Sequence, residues 1–329
     1  MLCFRSQKHT DLVVGRLKAE KVLLLVVVFL VFLFVIMLVP GFSVMLGVLV
    51  PVPLTFVYVR FGRRTGLVLL TLVFMVLFTL MGPKQAILFF TEYVVLAGVM
   101  AETIRFRLSF DKCILFSALF SAALSIVLLL FVFADREATL LEFFQKQIDG
   151  HFTQSIEALK TMGDKSEEIK VLQDFAGKAS GSLAQAYPSF IALGTLITAL
   201  VNYYATRFLW RRIDSYDMFH HARFSGWIVP DQVIWILIGS SAVFLLADNA
   251  LGAIGINLLL MALVAYFFQG LAITIYFLES RNVPVFFWVL IFFVILLQPL
   301  LVGASIGLGI FDTWMDLRKA RVIKEQSSE

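Results

Sequence analysis

Glu92 is the acid set deepest in an apolar run of this chain. It lies about seven residues into the stretch 85–104, about 10 Å at helical rise. A carboxylate at that depth is costly in hydrocarbon, so it marks a candidate functional group. Asn202, Asn257, Gln269 and Gln298 place amides inside other apolar runs. Pro51 and Pro53 stand one residue apart in "VLVPVPLTFVYV". Each removes a backbone donor and clashes with the preceding helical turn. A broken helix at membrane depth is tolerated where neighbours or a cavity satisfy the freed backbone, and transporter sites are built at such breaks. Together these residues predict a small-solute site lined by Glu92, Asn202, Asn257 and Gln269, beside the break at Pro51 and Pro53.

Other patterns invite chemistry and do not sustain it. "GASIG" at 303–307 matches G-x-S-x-G, but a hydrolase elbow needs a strand–turn–helix setting. An intramembrane serine enzyme also needs a histidine base, and His9, His151, His220 and His221 all fall outside the apolar runs. Gly303 and Gly307 instead predict a close-packed helix face. Ser117, Ser121 and Ser125 recur every four residues and predict a second packing face, one that also suits a separate membrane partner. His220 and His221 with Asp214 and Asp217 are read as a polar loop, because adjacent histidines on a helix do not face each other. "AGKAS" lacks the first glycine of a phosphate loop, since Leu172 occupies that place. The sequence therefore predicts no catalysis, no metal, no cofactor and no ATP hydrolysis by this chain. Energy for any solute movement would come from a gradient or a partner.

The elements that must carry these residues follow from composition. Of 329 residues, 60% are hydrophobic and only 15% charged, with a mean hydropathy of +0.92. A soluble domain carries about a quarter charged residues. Apolar runs near the roughly 20 residues that a bilayer demands fall at about 22–39, 42–59, 66–82, 85–104 and 112–133. Others follow at about 188–210, 232–247, 250–278 and 285–310. The first ends in Pro40-Gly41 without a small-residue cleavage pattern and reads as a retained span. The expectation is an all-α polytopic transmembrane bundle of eight or nine membrane segments with a mainly helical extramembrane insert, embedded in the lipid bilayer.

That division gives a basic N-terminal arm (1–21), a first helix group (22–133), the insert (134–187), a second group (188–310) and a charged tail (311–329). The insert is net acidic, and Ile148, Phe152, Ile156 and Leu159 fall at helical spacing on one side. The basic arm, "RFGRRTG", "RFRLSFDK" and "RFLWRR" predict one cytoplasmic side, with the insert outside. Arg318, Lys319, Arg321 and Lys324 in the tail conflict with nine simple spans. The net charge of +4 is read as this flanking pattern and not as nucleic-acid binding.

Several short stretches, in order, carry a resemblance. "PVPL" before a basic turn, "YPSF", "FSGWIVPD", "FFQGLAITIYFL" and "GLGIFDTWMDLRKA" together resemble the YybS-like family of bacterial membrane proteins, a domain of unknown function. More remotely the chain is similar to the substrate-binding membrane subunits of energy-coupling-factor vitamin transporters. That similarity implies a helical bundle in the bacterial cytoplasmic membrane, a midplane ligand pocket and an external ATPase module. A non-transporting scaffold or assembly factor for the cell envelope is the alternative.

Overall fold

The structure is a computed structural model that describes residues 47–133, 139–161, 166–213, 219, 224–247 and 249–318. The basic arm, the expected span at 22–39, Asp214, Asp217, His220, His221 and the tail beyond Arg318 lie outside the described residues. All regular structure among the described residues is helical. Two compact units divide the chain: one holds residues up to Ser125 and Gly194–His220, the other Ile126–Leu193 and the remainder.

In unit 1 the chain turns at 48–50, and α1 (Pro51–Phe61) starts on Pro51, where a missing N–H costs nothing. Gly62, with φ +91°, reverses the chain into α2 (Arg63–Met81). Only glycine adopts that conformation without strain. Gly66 lets the two helices close, since a Cβ there would lie 2.2 Å from the Tyr58 ring. A second turn at Gly82 leads to α3 (Pro83–Phe89), a π turn (Phe90–Val94) and α4 (Val95–Arg105). α1 packs on α2 and α4, and its buried face includes Leu54, Val57 and Tyr58. α5 (Phe110–Phe133) and α8 (Tyr187–Ile213) contain the boundary between the units.

Unit 2 includes a helical hairpin, α6 (Leu140–Thr161) and α7 (Ser166–Gln185), within the insert. Thr139 and Glu142 cap α6 reciprocally: the Thr139 N–H donates to Glu142 Oε2 at 3.1 Å and the Glu142 N–H to Thr139 Oγ1 at 3.2 Å. This capping box satisfies two otherwise orphaned donors. Ile148, Phe152, Ile156 and Leu159 are half-buried between exposed polar neighbours, and Phe152 meets Phe175 of α7 edge-on at 6.0 Å. The unit continues with a 3-10 turn (Phe224–Gly226), α9 (Val233–Leu246), α10 (Asn249–Ser280), α11 (Val285–Leu297) and α12 (Pro299–Met315). α10 is its axis: α9 and α12 both pack along it.

The count of eight or nine membrane segments is corrected. Among the described residues five helices are long and apolar enough to cross a membrane: 63–80, 86–105, 110–133, 187–212 and 250–280. A sixth arises if α11 and α12 form one broken span. Three expected spans fail for geometric reasons. The run at 42–59 is interrupted at 48–50, leaving an 11-residue α1 that reaches only about 16 Å. α9 has 14 residues, about 21 Å against a hydrocarbon core of about 30 Å. The run 285–310 bends by 105° at Gln298-Pro299. Proline can start α12 but cannot continue α11.

Candidate functional site

Unit 1 answers the question that Pro51 and Pro53 raise. A helix continued through this point would bond the Val48 carbonyl internally. Instead Asn202 of α8 donates to it through Nδ2 at 2.6 Å. The same Nδ2 donates to Thr198 O at 2.6 Å. Two carbonyl acceptors fix the orientation of the amide, so Oδ1 is the atom turned the other way. It is fully buried and has no hydrogen-bond partner among the described residues. The hydroxyls of Thr55 on α1 and Thr206 on α8 are likewise fully buried and unpartnered. Thr206 follows Asn202 by one helical turn. The Val48–Asn202 bond and the 5.9 Å approach of the Phe56 and Trp210 rings, each eight residues further on, show α1 and α8 running side by side in the same direction. Thr55 therefore belongs to the same seam. Leaving a buried polar group unpaired costs about 1–3 kcal/mol, and three such oxygens at one seam are an uncommon concentration.

A second irregularity borders the break. The π turn inserts an extra residue into the helix, a feature frequent at functional sites. Thr91 and Val94 face inward, which turns Glu92 outward, so its side chain is exposed on unit 1 and not enclosed by it as expected. Tyr93 follows Glu92 in the π turn. Its hydroxyl points back toward the break, 3.4 Å from where a Cβ on Gly47 would stand. The turn at 48–50 and the π turn thus meet through Tyr93. Ser121 of α5 donates to the Thr91 carbonyl at 2.8 Å, across 30 positions, satisfying a group that the π geometry exposes. Of the serine stripe, Ser117 bonds its own helix at Cys113 O, 2.6 Å, and Ser125 is half-buried.

Asn257 and Gln269 belong to unit 2 and are not brought to this seam. Both are saturated. Asn257 accepts from the Ser189 N–H at 2.9 Å and the Ser189 hydroxyl at 2.7 Å, and donates to Gln185 O and Ala253 O. It thereby ties "YPSF" to α10. Gln269, fully buried, accepts from the Val229 N–H at 3.1 Å and donates to Asp312 at 2.8 Å. Arg318 completes the network, donating to Asp312 Oδ2 at 2.8 Å and to the carbonyls of Ser225 at 2.7 Å and Trp227 at 3.0 Å. Arg318, one of the basic tail residues of the topology argument, is 1% exposed. The cause is Asp316: its left-handed conformation (φ 40°, ψ 60°) ends α12 and folds the chain back. The irregular backbone of "FSGWIVPD" is satisfied by side chains from α10 and the chain end, as non-helical segments in a membrane protein require.

The expected packing glycines are also displaced. Among the described residues nothing approaches within 4 Å of a Cβ placed on Gly303 or Gly307. Gly309 and Gly270 make the close approach: Cβ atoms there would lie 2.1 Å from Tyr266 O and 1.9 Å from Ser305 O. Periodicity identified the right helix and the wrong face, because the partner's surface decides which small residues are used.

All-α construction, several bilayer-length apolar helices and buried polar junctions define a multi-pass membrane protein embedded in the lipid bilayer. The chain belongs to the family described as "Predicted membrane protein (DUF2232)", which matches residues 27–313. Comparison with curated proteins and with solved structures gives no match.

Proposed function

We propose that this protein binds a small solute in unit 1, at the seam between α1 and α8, in the manner of a transporter membrane subunit of the bacterial cytoplasmic membrane. The carrying observation is the set of buried, unpartnered oxygens of Thr55, Asn202 and Thr206 beside an interrupted helix. Asn202 Oδ1 only accepts, and each threonine hydroxyl accepts or donates. The solute recognised is one that offers amine, amide or hydroxyl protons. Tyr93 sits at the edge of the break, where its hydroxyl adds a further donor or acceptor. The remote similarity to energy-coupling-factor subunits agrees with this reading and suggests an external ATPase module as partner. The reading is non-catalytic.

A scaffold or envelope assembly factor is the second reading, and one observation favours it. The α6–α7 hairpin exposes Val171 (69%) and Phe175 (54%), apolar side chains suited to a protein partner.

Native mass spectrometry of the gently purified full chain tests the proposal. The expected result is a retained small molecule, lost on Asn202→Leu and reduced on Thr206→Val while the protein stays folded. A bare polypeptide mass under conditions that keep bound lipid rejects solute binding. A co-purifying protein without a solute supports the scaffold.

A further inference from the structure

The two threonines of the α1–α8 seam depart from the usual habit of a helical threonine. Thr71, Thr91, Thr103, Thr198 and Thr274 each donate the hydroxyl to a carbonyl of the preceding turn, at 2.8 or 2.9 Å. Thr55 and Thr206 stand in regular helix and are fully buried, yet neither makes that bond. Their hydroxyls are left for a partner outside their own helices. Asn202 Oδ1 is left in the same way, because Nδ2 takes both carbonyls.

The donors and acceptors of these three groups select among ligands. Asn202 Oδ1 only accepts, whereas each threonine hydroxyl carries a proton that needs an acceptor and lone pairs that take a donor. An anion supplies acceptors alone and leaves Oδ1 facing another negative atom. A cationic amine supplies donors alone and leaves both threonine protons unmatched, and a metal cation does the same. A buried cation also needs a compensating carboxylate. Glu92 is exposed, and Glu102 is held by Tyr58 and Arg63. A group that donates and accepts at once satisfies all three oxygens, and a hydroxyl is the smallest that does so on carbon. An amide combines both functions at one end only, whereas these oxygens are spread along the seam.

The spread sets a length. Val48 with Asn202 and Phe56 with Trp210 keep one register, so Thr55 stands level with Leu209, about 10 Å beyond Asn202 at helical rise, with Thr206 between. A hydrogen bond of about 2.8 Å at each end leaves roughly 4–5 Å between the outermost ligand oxygens, about the reach of a four- or five-carbon polyol. The Phe56 and Trp210 rings close that end with apolar surface, which suits the C–H edges of such a chain.

We propose that the seam binds a slender, uncharged polyhydroxyl compound of about four or five carbons, its hydroxyls bonded to Asn202 Oδ1, Thr206 Oγ1 and Thr55 Oγ1. This rests on the solute reading of the same seam and narrows it to one chemical class.

The test uses the full-length protein in a neutral detergent, purified without glycerol or sugars, and read by thermal unfolding and native mass spectrometry. Erythritol and ribitol at millimolar concentration are expected to raise the unfolding temperature and to give discrete adducts. Cadaverine, a cationic diamine of similar length, and ribonate, which ends in a carboxylate, are expected to bind at least tenfold more weakly. Thr55→Val with Thr206→Val removes two hydroxyls that bond nothing in the protein, so the fold is kept, and the ribitol adduct is expected to weaken at least tenfold. Should that variant fail to fold, Thr206→Val alone serves, with an expected threefold loss. An equal rise with ribitol in the variant marks the general stabilisation of proteins by excluded polyols and overturns the proposal. Tight binding of cadaverine or ribonate, lost in the same variant, also overturns it and leaves solute binding at the seam standing. No response to any probe, together with a bare polypeptide mass, rejects both.

Discussion

Arg318 and Asp312 form an ion pair at 2.8 Å in which both side chains are almost wholly removed from solvent, at 0% and 2% exposure. Six positions apart, they meet because the helix ends between them. The pair is also a junction, since Asp312 accepts from Gln269 and from the Leu317 N–H, and Arg318 holds two carbonyls of the 224–229 segment. Removing one partner of a buried pair costs about 3–5 kcal/mol, because the other charge stays buried and unmatched.

Arg318→Met is therefore expected to destabilise unit 2 by about 3–5 kcal/mol. Adding Asp312→Leu should not restore it, because the Ser225 and Trp227 carbonyls still lack their donor. Thermal unfolding of the two variants in detergent decides this. Full recovery in the double variant would show that the pair contributes charge balance alone.

Gly270→Ala and Gly309→Ala are each expected to force α10 and α12 apart, because the new methyl group meets backbone within about 2 Å. Overpacking of this kind costs about 1–3 kcal/mol, and more where backbone is the obstacle. Gly303→Ala and Gly307→Ala, with nothing within 4 Å among the described residues, should be nearly neutral. Expression level and unfolding temperature of the four alanine variants measure the contrast, and a uniform loss would argue against the α10–α12 contact.

Asn257→Ala would leave the Ser189 N–H and the Gln185 carbonyl without their partner, where α7 passes into α8. A loss of about 2–3 kcal/mol is expected from the unpaired groups. Asn257→Asp should recover part of it by accepting from Ser189. Hydrogen exchange at 185–193 reads the effect locally. Unchanged protection there would assign Asn257 no role in this junction.

Gln154 lies on the exposed side of α6. A cysteine placed there is expected to react with an impermeant maleimide in intact spheroplasts, as an insert outside the cytoplasm requires. Labelling confined to lysed cells would reverse the orientation inferred from the basic turns.

Hydropathy alone made the helical membrane class legible, because runs of Leu, Val and Phe at bilayer length have few other uses. The number of crossings was not legible in the same way. Hydropathy does not register the 105° turn at Gln298-Pro299, since the runs on both sides of it are apolar, and it marks the α9 run at 232–247 without weighing that 14 helical residues fall short of the bilayer. Pro51 and Pro53 did announce a break, and Asn202 was recognisable as an amide in an otherwise apolar run. Its partner, 154 positions away, was not. Asn257 and Gln269 look like Asn202 in sequence and differ in that their amide oxygens have a partner, which is a property of neighbours. Thr55 and Thr206 gave no signal, because a threonine in a membrane helix normally bonds its own preceding turn, as Thr198 does to Gly194 at 2.8 Å.

The apolar window of α10 runs for 31 residues, about 46 Å against a hydrocarbon core of about 30 Å. Such a rod tilts, stands proud of the bilayer, or thickens the lipid around it, at a cost of a fraction of a kcal/mol for each ångström of mismatch. α9, α12 and the 224–229 segment are all fastened to it, so its inclination carries them together. The thickness of the surrounding membrane thereby acts as a mechanical input to unit 2, and lipids of longer or shorter acyl chains would set its posture without touching a single polar group.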